Sequence, residues 1–268
     1  MLKIRVLTAL VLLPLMLAAL FLFPAPLWAA FSWLVVGLAL WEYSRMVGMA
    51  GVGQWLYLGA STLLAAGAWF GRVTAMPWLH LLALAFWLVL VPLWLSRRWV
   101  VQNGWGARLL GWLLMFPAWF ALLEWRPEPS VAQAQQLLAI MGLVWVADIA
   151  AYFSGKAFGR RKLAPSISPG KSWEGVYGAL AATAAYVFLV NELGWLKLGL
   201  SPWSLLFLSL PLTAVSIAGD LLESWFKRAA GLKDSSQLLP GHGGVYDRID
   251  SLIAVLAVSN ALRALSGL

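Results

Sequence analysis

The sequence contains no cysteine, which excludes disulfide staples, thiolate nucleophiles and cysteine-ligated zinc, so any metal must be held by oxygen or histidine. Charge is scarce too. Asp, Glu, Lys and Arg make up 11% of the 268 residues, against about 25% in a soluble globular chain. Internal repeats and low-complexity tracts are also lacking, and no stretch separates as an independent soluble domain. What is abundant is apolar surface: 62% of the residues are hydrophobic, more than a soluble domain could hide. The chain therefore reads as an all-α, polytopic transmembrane helical bundle. Eighteen Trp residues agree, because indole rings favour the interface between lipid and water. The net charge of +8 reads as the positive-inside bias of a membrane protein, with no nucleic-acid partner.

With Pro, Gly and charge as punctuation, spans are expected near 4–23, 27–46, 55–71, 77–95, 107–124, 137–154, 174–193, 203–226 and 249–267. The first imitates a signal peptide, but no cleavage site followed by a polar chain comes after it. Nine spans put the termini on opposite sides. With the N-terminus inside, fifteen basic residues face the cytoplasm and only Arg72, Arg126, Lys197 and Arg263 face out, so N-in, C-out is preferred. Residues 1–130 read as scaffold with room for a lipid groove, and residues 131–268 as the catalytic part. In the first part, Glu42 and Arg45 stand i,i+3 at a helix end and read as a local ion pair, and Arg97-Arg98 reads as a topology anchor.

The second part is different. Asp148 lies in the apolar run GLVWVADIAAYF, and a carboxylate at that depth is costly unless paired, hydrated or metal-bound. A basic loop follows, carrying Lys156, Arg160, Arg161, Lys162 and Lys171 among Gly, Ser and Pro. Such a loop suits phosphate, although the positive-inside rule alone would also produce it. Ser172 can cap the next helix, whose free amides attract anions. Gly170-Lys171-Ser172 resembles the end of a nucleotide-binding P-loop, but Pro165 stands where that motif needs Gly, and no strand is expected ahead of it.

Gly219 to Asp250 holds five of the eleven acidic residues, interleaved with cations. Asp220, Glu223, Ser224 and Lys227 are spaced i, i+3, i+4 and i+7 on one helical face, and Asp247 and Asp250 share another. Asp220, Asp247 and Asp250 could converge into a hard-oxygen pocket suited to magnesium. Flanking cations could hold phosphate oxygens, and Gly241-His242-Gly243-Gly244 lets backbone approach a ligand. His242 could be a ligand, a proton carrier or a donor to phosphate. Carboxylates in spans would also suit an ion path, but these gather on one side with no half-and-half repeat.

The run Ser224-Trp-Phe-Lys227-Arg228, Lys233-Asp234 and Pro240-Gly-His242-Gly243-Gly244-Val-Tyr-Asp247-Arg248-Ile-Asp250 resembles the hallmark motif of the phosphatidate cytidylyltransferases over 27 residues. Asp148-Ile-Ala-Ala-Tyr152-Phe153-Ser-Gly155 and Ser168-Pro-Gly-Lys171-Ser172-Trp-Glu174-Gly are similar to that family's other recurring segments. The resemblance implies an enzyme of phospholipid biosynthesis in the bacterial inner membrane, joining CTP to phosphatidic acid at a cytoplasmic site and releasing pyrophosphate. It implies magnesium on Asp220, Asp247 and Asp250, with a second, potassium-type ion, and homodimers. It implies catalytic roles for Asp220, Lys227, Arg228, Lys233, Asp247 and Arg248. For Asp148, Lys156, Ser168, Lys171, Ser172, Glu174, Glu223, Ser224, Asp234, His242, Gly243 and Gly244 it implies substrate binding.

Overall fold

A computed structural model describes residues 2–196 and 198–266, so Lys197 and the last residue of the span expected at 249–267 lie outside the described residues. Among the described residues nine long helices run up and down one bundle: α1 (Leu2–Leu22), α2 (Ala25–Met46), α3 (Gly51–Phe70), α4 (77–97), α5 (Trp105–Trp125), α6 (Val131–Phe158), α7 (Trp173–Glu192), α8 (Pro202–Ala229) and α9 (Tyr246–Ser266). Eight of them are long and apolar enough to cross a membrane; α3 falls short. It nevertheless lies alongside α5 through the depth of the bundle. Tyr57 donates its hydroxyl to Arg108 O at 2.9 Å, Trp112 donates to Ser61 at 2.8 Å, and Thr74, just past α3, donates to Glu124 at 2.6 Å.

The central post is α9, in which Ile253 through Ala261 are all buried. Its small residues explain why, since Ala and Ser let neighbouring backbones approach closely in a membrane bundle. Helices α2, α4, α5, α6 and α8 pack around it. Few apolar contacts distinguish a helix from lipid, so polar links between helices matter. Ser251 donates to Ser216 O at 2.9 Å between α9 and α8, Thr183 meets Thr213 at 2.8 Å between α7 and α8, and Tyr43 donates to Ala107 O at 2.9 Å between α2 and α5.

Two expectations need correction. Ser168–Ser172 forms a strand, β2, paired antiparallel with β1 (Lys162–Ala164), immediately before α7. A strand, β1, thus does stand ahead of Pro165, but Gly170-Lys171-Ser172 is extended within β2 and forms no phosphate loop, so with Pro165 the P-loop stays excluded. The Glu42–Arg45 ion pair does not form, because Arg45 lies over the Trp41 ring, 4.9 Å from its centroid, while Glu42 points into the protein with no exposed surface.

Helix α4 departs from regular geometry at Phe86–Leu90, a π-helical turn just ahead of Pro92. Proline lacks an N–H and crowds the preceding turn, and a π-bulge absorbs the mismatch. Helices α6 and α8 have 28 residues each, about 42 Å at 1.5 Å per residue. That exceeds a hydrocarbon core of about 30 Å. The surplus turns carry Lys156, Lys227 and Arg228 at the end of the bundle where the hairpin and the 230–245 segment also lie.

Candidate active site

Helices α8 and α9 meet at Gly219. A methyl group there would come within 2.8 Å of Asp250 O and 2.9 Å of the Ala254 side chain. Only a residue without Cβ permits this crossing, and the crossing sets Asp220 beside the first turns of α9. Lys171 reaches over from β2, its Nζ 2.6 Å from Asp220 Oδ2, while Ser224 donates to Asp220 Oδ1 at 3.2 Å. Burial pulls the Lys171 ammonium down, but Asp220, hydrogen-bonded to it, together with nearby Asp148 and Asp250, holds it above the ordinary lysine value. One fixed cation thus stands among three carboxylates brought together from α6, α8 and α9.

The shared face read on α8 is divided. Asp220 and Ser224 turn toward Lys171, whereas Lys227 Nζ bridges Glu223 Oε2 at 2.6 Å and Asp247 Oδ1 at 2.5 Å. The other oxygen of Asp247 accepts from Ser235 N at 2.9 Å, Ser235 Oγ at 2.9 Å and Gly244 N at 2.8 Å. Asp247 therefore clamps the 234–246 segment onto α9.

Glu42 is the residue that sequence reasoning missed. Fully buried at the end of α2, it accepts from Ser236 Oγ at 2.5 Å, Val245 N at 2.9 Å and Tyr246 N at 2.6 Å, and Ser235 Oγ, 3.0 Å away, shares its single proton between Glu42 and Asp247. Gly244 is needed at this junction, since a Cβ there would fall 2.5 Å from Glu42 Oε1 and closer still to Ser235 Oγ. A signal was present: Glu42 is an acid in an apolar run, the same feature that singles out Asp148.

Two cavities open beside this centre. One, of about 440 Å³, is lined by Asp148, Lys156, Ser168, Lys171 and Asp220. The Lys156 ammonium lies 5.8 Å from the Tyr152 ring centroid, also at this cavity. The second, of about 790 Å³, is lined by Arg5, Lys233, Asp234, His242, Gly243 and Arg248. Arg248, on the wall of the second, lies within electrostatic reach of Asp148, on the wall of the first. Both are cation-rich clefts of the size that holds small molecules.

Some expected residues also brace the protein itself, and Ser172 does so while lining the first cavity. Ser172 caps α7 by accepting from Gly175 N at 3.2 Å, as its position implies. Glu174 accepts from Arg160 N at 3.1 Å and from Arg161 N and Nε, bracing the turn into β1. Arg228 donates to Ile167 O at 3.4 Å and Leu232 O at 3.2 Å, tying the hairpin to the end of α8.

The donors suit a hard cation, because the centre offers carboxylate oxygen and carries excess negative charge. Among the described residues, however, no three His, Asp or Glu side chains are grouped to ligate a single ion. Asp220, Asp250 and Asp148 form the acidic cluster, while both oxygens of Asp247 are engaged within the protein.

The cytidylyltransferase family matches residues 3–266. A phosphatidate cytidylyltransferase of Pseudomonas aeruginosa is 46% identical over 267 residues, covering 98% of this chain and 97% of that protein. One of Haemophilus influenzae is 38% identical, with 96% of each chain covered, and one of Brucella suis is 36% identical, with 84% of each covered.

Proposed function

The chain belongs to the cytidylyltransferase family and is an integral membrane nucleotidyltransferase, and from that premise we propose that it joins CTP to phosphatidic acid, forming CDP-diacylglycerol and pyrophosphate. The observation that carries this reading is the pair of cation-lined cavities beside the acidic cluster, one lined by Asp148, Lys156, Lys171 and Asp220 and the other by Arg5, Lys233, His242 and Arg248. Two polyanions must be brought together for this reaction, and each needs cations that do not neutralise the acids between them.

The phosphate monoester of phosphatidate has a second pKa of about 6, so at neutral pH its oxygen is already an anionic nucleophile. It attacks the α-phosphorus of CTP. As that P–O bond forms, the bond to the oxygen bridging the β-phosphate breaks, and the electron pair leaves with pyrophosphate. No side chain need abstract a proton. Lys156 and Lys171 can neutralise phosphate oxygens in one cavity, and Arg248 and Lys233 can do so in the other, where His242 can donate a hydrogen bond. Magnesium, when bound, would screen the two phosphates and stabilise the leaving pyrophosphate. Asp220 and Asp250 would hold it, and Asp247, the third ligand expected from the sequence, would have to exchange its bond to Lys227 for the ion. Glu42, Asp247 and Lys227 fix the loop that carries His242 and Gly243, so the cations are positioned before substrate arrives.

The basic end of the bundle carries the site, which by the positive-inside bias supports a cytoplasmic orientation in a bacterial inner membrane. CTP is then met from the cytosol and the lipid headgroup from the interface. Purified protein given labelled CTP, phosphatidate and magnesium should release CDP-diacylglycerol and pyrophosphate. A phosphorylated lipid alcohol with CDP would instead identify a kinase, and an inert protein that moves solute in liposomes would identify a carrier.

A further inference from the structure

The second cavity has an unexpected wall. Arg5 belongs to α1, and its charge is accounted for at sequence level by topology alone, yet it lines the same cleft as Lys233, His242 and Arg248. Three side chains there carry fixed positive charge against the single carboxylate of Asp234. Among the described residues, Arg5, Lys233 and Arg248 have no ion-pair partner. The Nδ1 atom of His242 is buried without a hydrogen-bond partner among those residues. A dianionic phosphate matches the surplus charge, and a guanidinium can grip it with two parallel N–H bonds.

Helix α1 also behaves unlike the others. From Lys3 to Leu15 every residue is exposed except Thr8. This half of the helix stands off from the bundle and touches the loop carrying the cavity: Thr8 donates to Pro240 O at 3.0 Å, and Arg5 lies against Gly241. Beside Arg5, an apolar row of Ile4, Leu7 and Val11, each more than half exposed, leads away from the cleft at helical spacing. The mouth therefore joins a cationic pocket to surface that hydrocarbon chains would cover. A water-soluble nucleotide has no use for such a border, whereas a lipid phosphate needs both parts.

We propose that the cleft between α1 and the 233–248 segment receives the phosphate monoester of the lipid substrate, with Arg5 as one of its direct ligands and the acyl chains lying along α1. The proposal rests on the reaction inferred above and divides its two substrates between the two cavities, leaving the Lys156–Lys171 side for the nucleotide.

The test is a kinetic split in nanodiscs. Arg5→Gln should raise the KM for phosphatidate about tenfold, the loss of roughly one charge-assisted bond, and leave the KM for CTP within about twofold. Arg5→Lys should recover part of the loss. A raised KM for CTP with an unchanged lipid KM, or no change in either, overturns the assignment. Glycerol 3-phosphate and inorganic phosphate added as competitors separate the sources of the anion: weak competition is expected, and inhibition by free phosphate as strong as by lipid would overturn the role of α1 in holding the chains. A second measurement does not require the variant to fold. Wild-type protein exposed without CTP to a phosphatidic acid bearing a photoactivatable group near the glycerol should be labelled within residues 4–15, and labelling confined to other helices overturns the proposal. If the wild type makes no CDP-diacylglycerol but is labelled there, the reaction fails and the lipid site stands.

Discussion

The carboxylate of Glu42 accepts the backbone N–H of Tyr246 at 2.6 Å across 204 residues of chain. Its two oxygens serve Ser236, Val245 and Tyr246 of the 235–246 segment and share the Ser235 hydroxyl with Asp247. Glu42→Gln keeps the shape but presents an amide N–H₂ where donors already point. An unsatisfied buried polar group costs about 1–3 kcal/mol. The variant should therefore insert normally, melt at lower temperature and lose roughly tenfold or more in kcat/KM. Unchanged kinetics would show that the loop holds its position without α2.

The fold and part of the site are legible in the sequence because lipid imposes a simple code. Apolar runs announce all nine long helices, eight of them long and apolar enough to cross a membrane, and Asp148 and the 219–250 stretch stand out because charge beside such runs needs a reason. Glu42 and Arg5 obey the same code but have ready local explanations, an i,i+3 neighbour and a topology signal. Their actual partners are far along the chain, and several are backbone N–H groups, which no residue pattern announces. The hairpin is hidden for another reason. Strands of three and five residues containing Pro169 and Gly170 are too short for periodicity and read as loop.

Gly219 offers a test of the helix crossing. In Gly219→Ala the added methyl meets Asp250 O and the Ala254 side chain at under 3 Å, and neither backbone nor a short Ala can yield. Overpacking of this kind costs about 1–3 kcal/mol. Activity should fall more steeply than stability, because separating α8 from α9 moves Asp220 away from Asp250. Thermal melting alongside steady-state kinetics gives both quantities, and a fully active, equally stable variant would refute the crossing.

Lys171 should remain charged across the working pH range. Its folded value lies above the ordinary 10.5, so its stabilising contribution is fully present below the ordinary value and is lost only as pH rises through the folded value. A pH profile of kcat/KM should show no alkaline loss due to Lys171 near pH 8 or 9. Lys171→Met should lower turnover by about a hundredfold or more, since Asp148, Asp220 and Asp250 would then face the incoming phosphates with no cation between them. A limb that vanishes in Lys171→Met would mean that this lysine titrates in the working range.

Asp247 joins two functions in one carboxylate, holding Lys227 and fastening the glycine-rich loop. Asp247→Asn breaks the pair with Lys227, and breaking a buried pair costs about 3–5 kcal/mol. Turnover should drop below detection while membrane insertion is retained. Near-normal activity would remove Asp247 both as loop clamp and as proposed metal ligand.

The stereochemistry at phosphorus tests the absence of a covalent intermediate. The chain has no cysteine, and the serines nearest the acidic cluster are already committed: Ser172 caps α7, Ser224 bonds Asp220, and Ser251 bonds Ser216 O. None has a histidine beside it, the Asp220 carboxylate that accepts from Ser224 is itself held by Lys171, and the lipid phosphate arrives ionised. A single in-line displacement should therefore invert configuration at the α-phosphorus of a chiral thio-CTP. Two successive displacements through a cytidylylated side chain would return the original hand. Retention of configuration would thus require a nucleophile on the protein and would overturn direct attack by the lipid phosphate.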